Sequence, residues 1–219
     1  LGRDPRLQCD TTPDRRRAPF VHDERSCTMG TLGIGVGAPL NILCVCTYNQ
    51  TRSVLMAALL DEHLRAEGVR AEIVGAGTRA AGGAPMSTTV DALAARGIDV
   101  RSHRGRPIDG PLVDAADLVI TAEHAHVIEI TGQWPRAFSR TFTLPEIVLR
   151  AGSAGPRGGV SFGVWRERLN TGRSSGLDYF DDPTVGEVVD PTGRDRTAWA
   201  DSIATIDLLT RRLAEAVAR

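Results

Sequence analysis

The chain has 219 residues, 42% of them apolar, enough for one domain with a full core plus tails. Its formal net charge is -1, and all 26 basic residues are arginines scattered along the chain, so the electrostatic footprint of a nucleic-acid binder is missing. No apolar run approaches a membrane span and no charged-then-apolar leader is seen, so a cytoplasmic protein with no membrane partner is expected; the total lack of lysine reads as GC-rich coding and points to a bacterial source.

Residues 1–40 carry Arg15-Arg16-Arg17, several Asp and Pro residues and a glycine-rich run from Gly30 to Gly37, without a sustained apolar period. They are expected to form a disordered N-terminal extension, with Met29 as a candidate natural start. From residue 41 onward strands and helices alternate, the pattern of a parallel sheet covered on both faces. Ile42-Leu43-Cys44-Val45 has no polar interruption and reads as a buried parallel strand. A helix then begins at Ser53, with Ala57, Leu60 and Leu64 on one face and Gly68 closing it. Further strands are predicted over 71–75, 118–121 and 141–144. Helices are predicted over 87–96, with Val90 and Leu93 inward, and over 123–130. Residues 151–178 are rich in Gly, Ser and Arg around a short helix at 165–169 and read as a surface insertion. A last helix runs from about 197 to the end, its apolar face formed by Trp199, Ile203, Ile206, Leu209 or Leu213, and Val217. The fold class is therefore α/β, a small doubly wound sheet of four parallel strands with helices on both faces, spanning 41–219.

Chemistry concentrates between the first strand and the first helix, in Cys46-Thr47-Tyr48-Asn49-Gln50-Thr51-Arg52-Ser53. The strand delivers Cys46 to the carboxyl edge of the sheet, where open α/β folds bind ligands. Loop amides, the positive end of the helix and Arg52 then converge on whatever sits above the sulfur, an arrangement suited to a tetrahedral oxyanion. The same field favours thiolate over thiol and makes Cys46 a candidate nucleophile. The other cysteines, at positions 9, 27 and 44, form no CxxC pair, and Cys44 reads as a small core hydrophobe. The histidines form no HExxH, so no metal site is expected, and nothing calls for a cofactor. His124 and His126 acquire no role from the sequence.

The strand-loop-helix placement of CxxxxxRS is joined by Gly75-Ala76-Gly77-Thr78, by Gly97-Ile98-Asp99 with His103, and by Asp190-Pro191 ahead of the final helix. On these residues the chain resembles the low-molecular-weight protein tyrosine phosphatases from residue 41 to the end, outside 151–178. The resemblance implies hydrolysis of phosphate monoesters, phosphotyrosine in proteins first among them. Cys46 would attack phosphorus, Arg52 would hold two oxygens bidentately, and Asp190 would protonate the leaving oxygen and later activate water. Thr47, Tyr48, Asn49, Gln50, Thr51 and Ser53 would line the phosphate, Ser53 donating to the thiolate. Asn49 and His103 would hold the loop's shape, and the partner would be a phosphorylated protein or a small phosphate ester. Against the family pattern, Tyr48 replaces a glycine, Thr51 a second loop cysteine, Val54 a proline and Gly75 a serine, and Thr192-Gly193 stand where tyrosines would follow Asp-Pro. Two alternatives stay open: an arsenate reductase coupled to a low-molecular-weight thiol, and a pseudo-phosphatase that binds phosphorylated partners without turnover. Asp182, in Asp181-Asp182-Pro183, competes with Asp190 for the acid.

Overall fold

The computed structural model describes residues 38–219. Most of the extension expected over 1–40, residues 1–37, lies outside the described residues, and Leu40 already opens the first strand. The strands are β1 (Leu40–Cys46), β2 (Ala71–Gly77), β3 (Leu118–Thr121) and β4 (Thr141–Thr143). The helices are α1 (Arg52–Ala66), α2 (Ser87–Ala94), α3 (Gly110–Ala115), α4 (His124–Gln133), α5 (Leu144–Ala154), α6 (Phe162–Leu169), α7 (Leu177–Phe180) and α8 (Arg196–Ala218), with a 3-10 turn at Pro135–Arg140.

All strand pairs are parallel, in the order β2-β1-β3-β4, which is the doubly wound α/β sheet of four strands expected above. β1 is bonded on both edges and covered on both faces, so a polar residue within 42–45 would be buried without a solvent outlet. The chain leaves β1 toward β2 and later returns on the other side as β3. The crevice above the carboxyl ends of β1 and β3 is thus the topological switch point, and Cys46 ends β1 there.

Alternation along β1 serves two cores. Ile42, Cys44 and Cys46 face the layer that contains α1, α5, α6 and α8, while Leu43 and Val45 face Val113 of α3, Ile130 of α4 and Ala137 of the 3-10 turn. The expected apolar face of α1 at 57, 60 and 64 understates its burial, because every residue from Arg52 to Leu60 is buried. α8 packs across the outer side of α1, leaving solvent only to the residues of its last turns. Burial of Leu55, Leu59 and Leu60 contributes roughly 1.5–3 kcal/mol per side chain.

Three helices escape the sequence reading: α3, α5 and the four-residue α7. The apolar run over 141–144 ends as a strand at Thr143, where a capping box takes over: Thr143 Oγ1 accepts from the Glu146 amide at 3.1 Å and Glu146 Oε2 accepts from the Thr143 amide at 3.3 Å, with Pro145 in the first turn of α5. The short α3 is capped by Asp109, whose Oδ1 accepts from the Leu112 amide at 2.9 Å. Residues 151–178 send Trp165 and Leu169 into the core, Trp165 Nε1 donating to the Gly155 carbonyl at 3.0 Å. The Arg173 side chain is also buried; its guanidinium lies 4.2 Å and 4.1 Å from the Phe138 and Phe142 ring centroids and donates to Glu146 Oε1 at 2.7 Å.

Candidate active site

The loop from Cys46 to Arg52 runs from the end of β1 into α1 and is tied down mainly through its backbone. Carbonyls of Cys46, Thr47 and Gln50 accept from the amides of Thr78, Arg79 and Met86 at 3.0, 2.7 and 3.1 Å. Asn49 takes a positive φ of 54°, a conformation asparagine tolerates better than most residues. Its side chain locks the turn from inside: Nδ2 donates to Ser53 Oγ at 2.8 Å, and Oδ1 accepts from the Arg106 amide at 3.2 Å. His103 Nε2 donates to the Asn49 carbonyl at 2.9 Å, and burial, the largest influence on this ring, holds its pKa below the ordinary value. Gly75 leaves the room this asparagine needs, since a Cβ there would stand 2.6 Å from Asn49 Nδ2.

Gly77 is tighter still. A Cβ at Gly77 would come within 2.7 Å of the Thr47 carbonyl oxygen and 2.8 Å of the Asn49 nitrogen, both backbone atoms that cannot rotate away. Gly77→Ala is therefore expected to cost about 1–3 kcal/mol in chemical denaturation. Catalytic efficiency of the folded fraction should fall more than tenfold through displacement of the loop. Unchanged stability and rate in that variant would contradict the seat described here.

Ser53 Oγ lies 3.0 Å from Cys46 Sγ. Because Ser53 already accepts from Asn49 Nδ2, its own hydrogen is free to point at the sulfur. Cys46 is 3% exposed, and Cys44 below it is fully buried, its thiol pushed up by burial first and by the neighbouring Cys46 second. Thr51 precedes α1 without a side-chain cap and the first turn carries no acidic residue, so the N-terminal amides of this 15-residue helix remain available to an anion. Thr51 is buried, Gln50 half-buried and Tyr48 56% exposed.

Arg52 is 2% exposed and is gripped by groups at the carboxyl end of the neighbouring strand β3. Nη1 donates to Glu123 Oε1 and, at 3.1 Å, to the Val188 carbonyl; Nη2 donates to Asp190 Oδ2 at 2.7 Å. Nε takes no protein partner among these bonds, so the Nε–Nη2 edge is the one that can present parallel donors to two oxygens. Residues 188–190 reach this position because the Val188 amide donates to the Ala122 carbonyl at 2.8 Å and Ser202 Oγ of α8 donates to the Val189 carbonyl at 3.1 Å. Asp190 Oδ1 caps its own turn by accepting from the Thr192 amide at 2.9 Å.

Asp182 does not come to the loop. Its carboxylate accepts from Ser174 Oγ and from the Thr184 amide and hydroxyl, at 2.9 and 2.6 Å for Thr184, and these bonds hold it down to about 2.

Two residues without a role in the sequence reading also meet here. Glu123 places its carboxylate on Arg52, and His126, 3% exposed, lies within hydrogen-bonding distance of Thr47, its Nε2 3.1 Å from Thr47 Oγ1. The only local signal was the capping-box geometry at the start of α4, which joins Glu123 and His126 three positions apart. Their distance in sequence from residues 46–53 hid the rest. Among the described residues no group of three His, Cys, Asp or Glu side chains could hold a metal ion, and no helix is long and apolar enough to cross a membrane.

A parallel sheet with a nucleophilic loop and an arginine clamp at its switch point is the architecture of a cysteine-dependent phosphatase of the small, doubly wound type. The profile of the low molecular weight phosphotyrosine protein phosphatase family matches residues 41–154, more than half of the chain, and the chain belongs to that family. It is a hydrolase of this phosphatase type. It is 36% identical over 107 residues to the probable low molecular weight protein-tyrosine-phosphatase EpsP of Ralstonia nicotianae, covering 48% of this chain and 71% of that protein. It is 34% identical over 110 residues to the protein-arginine-phosphatase of Bacillus subtilis, covering 50% and 73%. Among solved structures, the YwlE arginine phosphatase of Geobacillus stearothermophilus superposes with a TM-score of 0.59 at 26% identity, over 81% of this chain and 92% of that one.

Proposed function

We propose that the protein hydrolyses phosphorylated protein side chains, phosphotyrosine first, through a cysteinyl-phosphate intermediate, working in the cytoplasm as one domain over 41–219 with 151–178 as an insertion. The observation that carries this reading is Asp190 Oδ2 at 2.7 Å from Arg52 Nη2: a carboxylate 138 positions away stands at the clamp of the nucleophile's own loop. A phosphate ester needs a proton on its departing oxygen, whereas reduction of an arsenate adduct by an external thiol does not require that acid at this place.

In the proposed sequence the phosphoryl oxygens take the Nε–Nη2 edge of Arg52, beside which Asp190 faces the leaving atom. The Cys46 thiolate attacks phosphorus in line. The P–O bond breaks as Asp190 gives its proton to the leaving oxygen, and an S–P bond forms. Water, giving its proton to the Asp190 carboxylate, then attacks phosphorus and releases phosphate and thiolate. Ser53, the loop amides and Arg52 serve both steps.

Phosphoarginine is the second reading. Glu123 stands beside Asp190 at the clamp, Asp-Pro is followed by Thr192-Gly193, and the leaving group of phosphoarginine is a guanidine that becomes cationic on protonation, which paired carboxylates favour. Similarity to proteins named as arginine phosphatases supports the same reading. Purified protein should be assayed with phosphotyrosine and phosphoarginine peptides, with an aryl phosphate, and with arsenate plus low-molecular-weight thiols. Turnover of either peptide supports hydrolysis and chooses the substrate. Turnover of arsenate alone, or phosphopeptide binding without turnover, overturns it.

Asp190→Asn is expected to slow esters with poor leaving groups by about a hundredfold, and to affect esters whose leaving group is a weak base much less. Asp182→Asn serves as the comparison and should leave both rates nearly unchanged. Equal rates for Asp190→Asn and the natural protein on both esters would remove the acid from the scheme.

A further inference from the structure

We propose that His126 is a positioning residue of the phosphate site: its imidazole donates from Nε2 to Thr47 Oγ1 and so commits the Thr47 hydroxyl hydrogen to the oxyanion above Cys46. The inference rests on the reading of residues 46–53 as the phosphoryl loop.

The tautomer follows from the partners. The Glu123 amide lies 3.2 Å from His126 Nδ1, and an amide N–H can only donate, so Nδ1 presents its lone pair. The ring hydrogen is therefore on Nε2, which faces Thr47 Oγ1 at 3.1 Å and donates to it. Had Nδ1 carried the hydrogen, Thr47 would have spent its own on Nε2. With Nε2 as donor, the Thr47 hydrogen is left to another acceptor, and no protein partner for it appears among the described side-chain bonds. Thr47 directly follows the nucleophile and its carbonyl is already fixed by the Arg79 amide at 2.7 Å, so the hydroxyl is carried on an immobile backbone.

The surroundings keep the ring neutral. Burial is the largest influence and lowers the pKa of His126; Arg52 of α1 pushes the same way, while the carboxylates of Glu123, Glu129 and Glu187 oppose it. A second proton would put an N–H at Nδ1 against the Glu123 amide, donor on donor. The neutral ring is also the form that leaves the α4 capping box intact, and with it the Glu123 carboxylate on Arg52. One imidazole thus supports both the hydroxyl at the start of the loop and the segment that anchors the guanidinium at its end.

Orthovanadate affinity, measured by calorimetric titration, tests the inference independently of turnover. Thr47→Val and His126→Phe should each weaken binding by about tenfold, the loss of one hydrogen bond to a charged oxyanion. The double variant should be no weaker than Thr47→Val alone, because the two act through one hydrogen. His126→Gln should restore most of the affinity, since its amide offers a donor toward Thr47 and an acceptor toward Glu123. The kcat/KM of an aryl phosphate should follow the same order while thermal stability of Thr47→Val stays near that of the natural protein. Unchanged vanadate affinity in Thr47→Val overturns the proposal, as does a double variant whose loss is the product of the two single losses, or a glutamine variant as weak as phenylalanine. If His126→Phe does not fold, Thr47→Val and His126→Gln still decide. Natural protein that binds vanadate but hydrolyses nothing overturns the hydrolytic reading alone, and failure to bind vanadate overturns both.

Discussion

The Cys46→Ser protein is expected to lose turnover of aryl phosphate to below about one ten-thousandth of the natural rate while still binding phosphate or vanadate. The two halves of this result have separate physical sources. In the proposed scheme turnover requires a thiolate to form the S–P bond, and a serine hydroxyl has no neighbouring base at this site: Ser53 is committed as a donor and Asn49 donates to Ser53. Binding draws on the loop amides, the uncapped start of α1 and Arg52, none of which the substitution removes. Rapid-quench labelling with phosphate-labelled substrate should trap a phosphorylated natural enzyme and no thiol-linked label in the variant. Substantial aryl phosphatase activity in purified Cys46→Ser would displace Cys46 as nucleophile. Cys44→Ala is the natural comparison, because Cys44 is packed in the core on the same side of β1 and should affect stability rather than rate.

Arg52→Lys is expected to lower kcat/KM by on the order of 10³ and to weaken phosphate inhibition in parallel. Hydrogen counting explains why a conserved charge is not enough. The guanidinium sends both Nη1 hydrogens to Glu123 and the Val188 carbonyl and one Nη2 hydrogen to Asp190, and still has the Nε and remaining Nη2 hydrogens for a phosphoryl group. A lysine ammonium has three hydrogens. Satisfying Glu123, Val188 and Asp190 would consume all of them, and freeing any would leave a buried acceptor without its partner. The variant should therefore be impaired whichever way the ammonium turns. Near-normal efficiency and phosphate affinity, measured by steady-state kinetics with inorganic phosphate as competitor, would show that the loop does not hold the phosphoryl group through this side chain.

Much of the architecture was visible in the sequence because its determinants are local. The unbroken apolar run 42–45 could only be a doubly covered strand, and 118–121 matches β3 residue for residue. The helix beginning at Ser53 followed from its period and Gly68, and the long amphipathic α8 from its period. α5 was missed although Thr143-Leu144-Pro145-Glu146 carries a capping box, because the apolar residues before it continue the strand pattern to the boundary. Arg173 was hidden for another reason: an arginine in a stretch of Gly, Ser and Arg looks solvated until Glu146, Phe138, Phe142 and Tyr179 surround it.

The sequence by itself determined the individual strands, the position of Cys46 at the end of the first, and the six-residue spacing from Cys46 to Arg52, since each depends on residues within a few turns of one another. Only the tertiary structure separates the positions of Asp190 and Asp182. Both precede a proline in polar turns, and what separates them is that Val188 pairs with Ala122 and Val189 with Ser202, bringing one carboxylate to Arg52 and leaving the other bound to Ser174 and Thr184. Glu123 and His126 belong to the same class. Their partners lie 71 and 79 positions away on a neighbouring strand's loop, and adjacency of parallel strand ends is created by the crossover, not by any local pattern in the chain.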